Sequence, residues 1–135
     1  MRVAVISNRN RPGYPDENLQ DHLTWTQKAA SADARLVLFP ELSLSGYTTE
    51  PFVRRMGLAL SSRRCAELVR AAQIHDVFIA FGLPLSYRRR LYISQALVGP
   101  TGVVGHYEKV HLAGASSGEG RVFSPGSQFR VFDVD

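Results

Sequence analysis

The sequence predicts an α/β fold built on a mixed sheet. Short apolar runs rich in β-branched residues alternate with helical patterns over the first eighty residues, the signature of strands joined by crossovers. After that, apolar runs follow one another with only turn residues between them, as antiparallel hairpins require. The length of 135 residues, 44% hydrophobic and 21% charged, suits one globular unit over residues 1–135, with no repeat, linker or low-complexity tract.

Val3-Ala4-Val5-Ile6 is a continuous apolar run bounded by the polar stretch from Asn8 to Gly13, and predicts a buried strand. Asp16 is the expected N-cap of a helix reaching about Ala32, with Leu19, Leu23, Thr26 and Ala30 forming its apolar stripe. Leu36-Val37-Leu38-Phe39 is a second strand. Pro40 stops it, because proline lacks an N–H and restricts the residue before it, so Glu41 stands just past a strand end. Leu42 to Tyr47 reads as a loop. Ser61 or Ser62 caps a second helix with Cys65, Leu68, Val69 and Ala72 on its apolar face, ended by His75-Asp76. Residues 77–83 form a third strand. Residues 92–98 and 103–107 flank Gly99-Pro100-Thr101-Gly102 and predict a hairpin, and residues 129–134 predict a last strand.

Composition excludes several classes of function. The net charge of +4 comes from arginines scattered over Arg54-Arg55, Arg63-Arg64 and Arg88-Arg89-Arg90, without the glycine-aromatic pattern of an RNA reader, so no nucleic-acid partner is expected. No run approaches a membrane span or a signal peptide, which predicts a cytoplasmic chain with no membrane partner. One cysteine excludes an internal disulfide and a cysteine cluster. His22, His75, His106 and His111 have no ligand spacing with carboxylates, so no metal is expected, and residues 114–120 lack the spacing of a phosphate loop, so no cofactor is. Only two of the sixteen basic residues are lysines. Lys28 falls on a polar helix face. Lys109 does not.

Three segments in order resemble the nitrilase superfamily of carbon-nitrogen hydrolases, amidase-like or carbamoyl-hydrolase-like in branch. They are Leu36-Val37-Leu38-Phe39-Pro40-Glu41-Leu42-Ser43-Leu44-Ser45-Gly46-Tyr47, then Tyr107-Glu108-Lys109-Val110-His111-Leu112, then Glu119 followed by Pro125-Gly126. The resemblance covers the whole chain as the N-terminal half of that domain, and implies half of a four-layer α-β-β-α sandwich. It implies Glu41 as general base, Lys109 as the cation facing a developing oxyanion, and Glu119 as a supporting carboxylate, with Tyr47 lining the pocket. Cleaving an amide or nitrile C–N bond needs such a set beside a thiolate, since protons must be moved and an anionic oxygen stabilised. His111 is read as an ordinary loop or strand histidine. The small-residue loop Gly114-Ala115-Ser116-Ser117-Gly118 predicts mobility ahead of Glu119.

The family's nucleophilic cysteine follows the catalytic lysine by a few tens of residues, and the chain ends before that position. Cys65 precedes Lys109 and falls on the apolar face of a predicted helix, so it reads as a structural thiol. The expected substrate is a small amide, carbamoyl compound or nitrile, with the chain inactive alone. Association is expected, either as a homo-oligomer or with a chain supplying the C-terminal half, since half a sandwich leaves sheet surface uncovered. The other reading is a non-catalytic binding or assembly module derived from the same fold.

Overall fold

Among the described residues, seven helices and strands follow the predicted order: β1 (Val3–Val5), α1 (Pro15–Ser31), β2 (Leu36–Leu38), α2 (Arg63–His75), β3 (Phe78–Tyr87), β4 (Arg90–Gly99) and β5 (Gly102–Glu108). Short 3-10 helices span Pro51–Met56 and Gly118–Arg121. The computed structural model describes residues 1–114 and 118–134.

The five strands lie in one sheet in chain order. β1, β2 and β3 are parallel, because each connection runs through a helix, and the β3-β4 and β4-β5 pairs are antiparallel. The predicted mixed α/β class is therefore observed. Val37, Ile79, Phe81, Leu83, Ala96 and Val98 point to one face, where Leu19 and Ala29 of α1 and Cys65, Leu68 and Ala72 of α2 bury them. A smaller cluster of Leu42, Val53, Leu91, Ile93, Val122 and Phe123 packs beneath the loops. On the sheet's other face Val5, Leu38, Ala80 and Leu97 stand side by side across four strands. Val5 is 73% exposed and Leu38 37%.

The structure corrects several expectations. α1 begins at Pro15, its N-cap position is Tyr14, and no side chain caps it; Asp16 lies in the first turn and forms an ion pair with Arg64 at 2.8 Å instead. Proline at the helix start already suits the chain to helical geometry there. Ser62 does cap α2, accepting the Cys65 N–H. The third strand, expected over 77–83, runs on through Pro84 to Tyr87 and turns at Arg88-Arg89 into β4, a hairpin not expected from the sequence.

Residues 129–134 form no strand. The stretch alternates as a strand does, with Val131 95% exposed and Phe132 turned onto Gly105, but it lies over the open face instead of pairing at a sheet edge. Tyr107 and Phe129 stack at 6.4 Å. The expected strand over 129–134 is not observed, because the stretch finds no backbone ladder partner among the described residues.

Candidate active site

Glu41, Tyr47, Lys109 and Glu119, far apart in sequence, meet at the strand ends on one side of the sheet. β2 makes one further ladder bond, from Phe39 N–H to the Ala80 carbonyl, before Pro40 ends it. Residues 41–45 then turn back across β3, with the Leu44 N–H donating to the Gly82 carbonyl at 2.9 Å. Gly82 has no side chain because the turn occupies that space: a Cβ there would meet the Pro40 oxygen at 2.6 Å and the Glu41 carbonyl carbon at 2.7 Å. The Lys109 backbone is held on both sides, donating to the Ile93 carbonyl and accepting from the Gly126 N–H, each at 2.8 Å. Gly126 packs against Glu108 where a Cβ would lie 2.8 Å from that residue's own Cβ, which accounts for the Pro-Gly turn.

The lysine ammonium bridges two carboxylates. Its Nζ lies 3.0 Å from Glu41 Oε2 and 3.0 Å from Glu119 Oε1. The carboxylates differ in their surroundings. Glu119 is 1% exposed and accepts three bonds, from Lys109, from the Tyr47 hydroxyl at 2.9 Å and from the Ala113 N–H at 2.7 Å. Among the described residues Glu41 has Lys109 alone, and 41% of its side chain is exposed. Glu119 is thus fixed and charged, while Glu41 keeps free lone pairs and room to take a proton.

Burial alone would push the Glu119 carboxyl up; the Ala113 N–H, Lys109 and Tyr47 outweigh it and hold the group below the usual carboxylate range. Burial likewise disfavours the Lys109 ammonium, but Glu119 and Glu41 outweigh that and raise its pKa. Burial and the neighbouring Glu119 together raise the Tyr47 hydroxyl. Tyr47 was expected to line a pocket; its hydroxyl is spent on Glu119 and its ring is half exposed.

A cavity of about 140 Å³ opens beside Glu41 and Lys109, lined also by Ile93, Ser94, Gln95 and Tyr107. Gln95 and Ser94 were not singled out from the sequence. The available signal was polarity: two polar residues interrupt the otherwise apolar run from Tyr92 to Val98. Gln95 donates to the Phe39 carbonyl at 3.0 Å and Ser94 to the Tyr107 carbonyl at 2.7 Å, tying β4 to the segments that carry Glu41 and Lys109. His111 is exposed and takes no part. Residues 115–117 of the small-residue loop lie outside the described residues.

Cys65 stands apart from this site. It occupies the first turn of α2, a position that ordinarily favours a thiolate, yet it is fully buried and burial pushes its thiol pKa up. Among the described residues no group of His, Cys, Asp and Glu side chains is arranged to hold a metal ion, and no helix is long and apolar enough to cross a membrane.

A mixed sheet with two helices on one face carries a Glu-Lys-Glu cluster at its strand ends. The chain belongs to the carbon-nitrogen hydrolase family, whose pattern it matches over residues 2–135. It is 29% identical to an (R)-stereoselective amidase of Pseudomonas sp., across 96% of this chain and 46% of that protein. It is 30% identical to a nitrilase of Pyrococcus abyssi, across 99% of this chain and 52% of that one. In structure it resembles an amidase from Nesterenkonia sp., with a TM-score of 0.83 and 26% identity over 95% of this chain and 49% of the other. A variant of that amidase carries the acetamide moiety of fluoroacetamide covalently on its active site cysteine. The chain spans about half the length of these relatives.

Proposed function

We propose that this chain supplies the acid-base and oxyanion side of an amidase-type site that acts on small amides through a cysteine outside these 135 residues. Glu41 is the general base: it takes the proton of the thiol as sulfur attacks the carbonyl carbon, returns it to the departing amine, and then activates the water that cleaves the thioester. Lys109 donates to the oxygen that becomes anionic, a role worth about 3 kcal/mol for one donor in acyl transfer. Glu119 and Tyr47 hold Lys109 at that place.

The observation that carries this reading is the inequality of the two carboxylates around one ammonium. A merely structural ion cluster has no need to leave one member half exposed with unused lone pairs. The names of the relatives support an amide substrate, and the resemblance to the Nesterenkonia amidase supports a cysteine as nucleophile.

Fusing residues 1–135 to the cysteine-bearing half of the Nesterenkonia amidase tests it, with ammonia release from butyramide as the readout, since that enzyme has been solved in complex with butyramide. Turnover is expected, and Glu41→Gln is expected to slow it by about 10² to 10⁴-fold. A folded, active fusion indifferent to both Glu41→Gln and Lys109→Met would overturn the assignment. The module reading predicts instead that the chain alone binds butyramide through Glu41 and Lys109 and that the fusion stays inert.

A further inference from the structure

Helix α1 buries three polar residues, Asn18, His22 and Thr26, on a face otherwise made of Leu19 and Ala29. A polar side chain in such a place is costly unless every polar atom is used. In His22 both ring nitrogens are. Nδ1 lies 2.6 Å from the Asn18 carbonyl oxygen, and since a carbonyl only accepts, Nδ1 carries the proton. Nε2 therefore presents a lone pair, and the Ser43 hydroxyl, 2.9 Å away, donates to it. Ser43 Oγ in turn accepts the Gly82 N–H at 3.1 Å. The imidazole stacks on Phe39 with centroids 4.1 Å apart.

These bonds form one directed chain of donation from β3, through the turn that carries Glu41, to α1. Asn18 adds a second tie by donating to the Leu44 carbonyl at 3.2 Å. The turn needs holding. Leu42, next to Glu41, sits at φ 51, a left-handed conformation that is strained for a residue with a Cβ. Among the described residues Glu41 itself reaches only Lys109, so its placement depends on the backbone beneath it.

We infer that His22 and Ser43 are positioning residues that hold Glu41 against Lys109: the neutral imidazole orients the Ser43 hydroxyl, and the hydroxyl pins the Glu41 turn to β3. The inference rests on the reading of Glu41 as the base, but its geometric content can be measured without turnover.

Lys28 and Lys109 are the only lysines, so ¹³C-lysine labelling yields two side-chain signals, and Lys28→Arg assigns them. Lys109 is raised partly by Glu41, so its titration reports how closely that carboxylate is held. Ser43→Ala is expected to lower the Lys109 midpoint, recovering most of the shift caused by Glu41→Gln, and to have no further effect in a Glu41→Gln background. An unmoved Lys109 would overturn the inference, and so would an equal shift in both backgrounds, which is the mark of general loosening. Imidazole ¹⁵N spectra of the unaltered protein give a second measure independent of whether Ser43→Ala folds. They are expected to show His22 protonated at Nδ1 and accepting at Nε2; the opposite tautomer would also overturn it. An inert fusion enzyme would remove the catalytic reading and leave these results standing, so the two failures are separable.

Discussion

At the scale of single residues, burial decides which ionisable groups resist acid. His22 is fully buried, and burial lowers its pKa to about 4 from 6.5, with the Asn18 carbonyl opposing the shift in part. The unfolded chain therefore binds a proton that the folded chain refuses between those two values, and stability must fall as pH drops through that window. The full effect is on the order of 3 kcal/mol. Glu119 acts in the same direction lower down: its folded pKa is depressed, so its contribution is present above 4.5 and is lost as pH falls further. Urea unfolding at pH 7, 5.5 and 4.5 should show a steady loss, and His22→Gln should flatten the part between about 6.5 and 4. Equal slopes in the two proteins would contradict this account.

At the scale of elements, the β3-β4 hairpin carries a local conflict. Arg88 and Arg89 take φ values of 47 and 62, the two left-handed positions of a tight turn for which Asn-Gly is the relaxed choice. Arg88→Asn with Arg89→Gly should stabilise the chain by about 1–2 kcal/mol, read as a raised urea midpoint with unchanged slope. An unchanged or lowered midpoint would mean that the arginine side chains repay the strain through contacts of their own. The same hairpin shows where sequence reading stops. Alternation and turn residues made the β4-β5 hairpin plain, because Gly99-Pro100-Thr101-Gly102 announces a turn. Three consecutive arginines announce nothing. Asn18 and His22 were hidden for a related reason, since polarity on a helix argues for solvent and only the fold reveals partners for both. Glu41 and Lys109 stood out because the segments around them resemble the nitrilase superfamily, with Pro40 beside the one and the scarcity of lysine drawing attention to the other. That Tyr47 serves Glu119 was not, because a contact across 72 residues leaves no local trace.

At the scale of the whole molecule, among the described residues two helices cover one sheet face and an irregular segment crosses the other. Phe129 and Val131 of that segment are 77% and 95% exposed, and Val3 and Val5 add to the open apolar surface. Such a surface drives association, so size-exclusion chromatography with light scattering should show the mean mass rising from micromolar to higher concentrations. A strict monomer throughout would contradict that. Phe132→Asp should change the profile more than Arg63→Asp, since Phe132 faces the sheet and Arg63 faces water on the helical side.

The strands stand in the sheet in the order in which they are synthesised. Each can join the edge left by the one before it as the chain leaves the ribosome, so folding need never wait for a later strand to fill a gap. Glu41 precedes Lys109 by 68 residues. At about 5–20 residues per second its counter-ion follows roughly 3–14 seconds later. Half in water, Glu41 can wait as a bare carboxylate. Glu119 could not, and it emerges after the lysine it binds, only 10 residues behind.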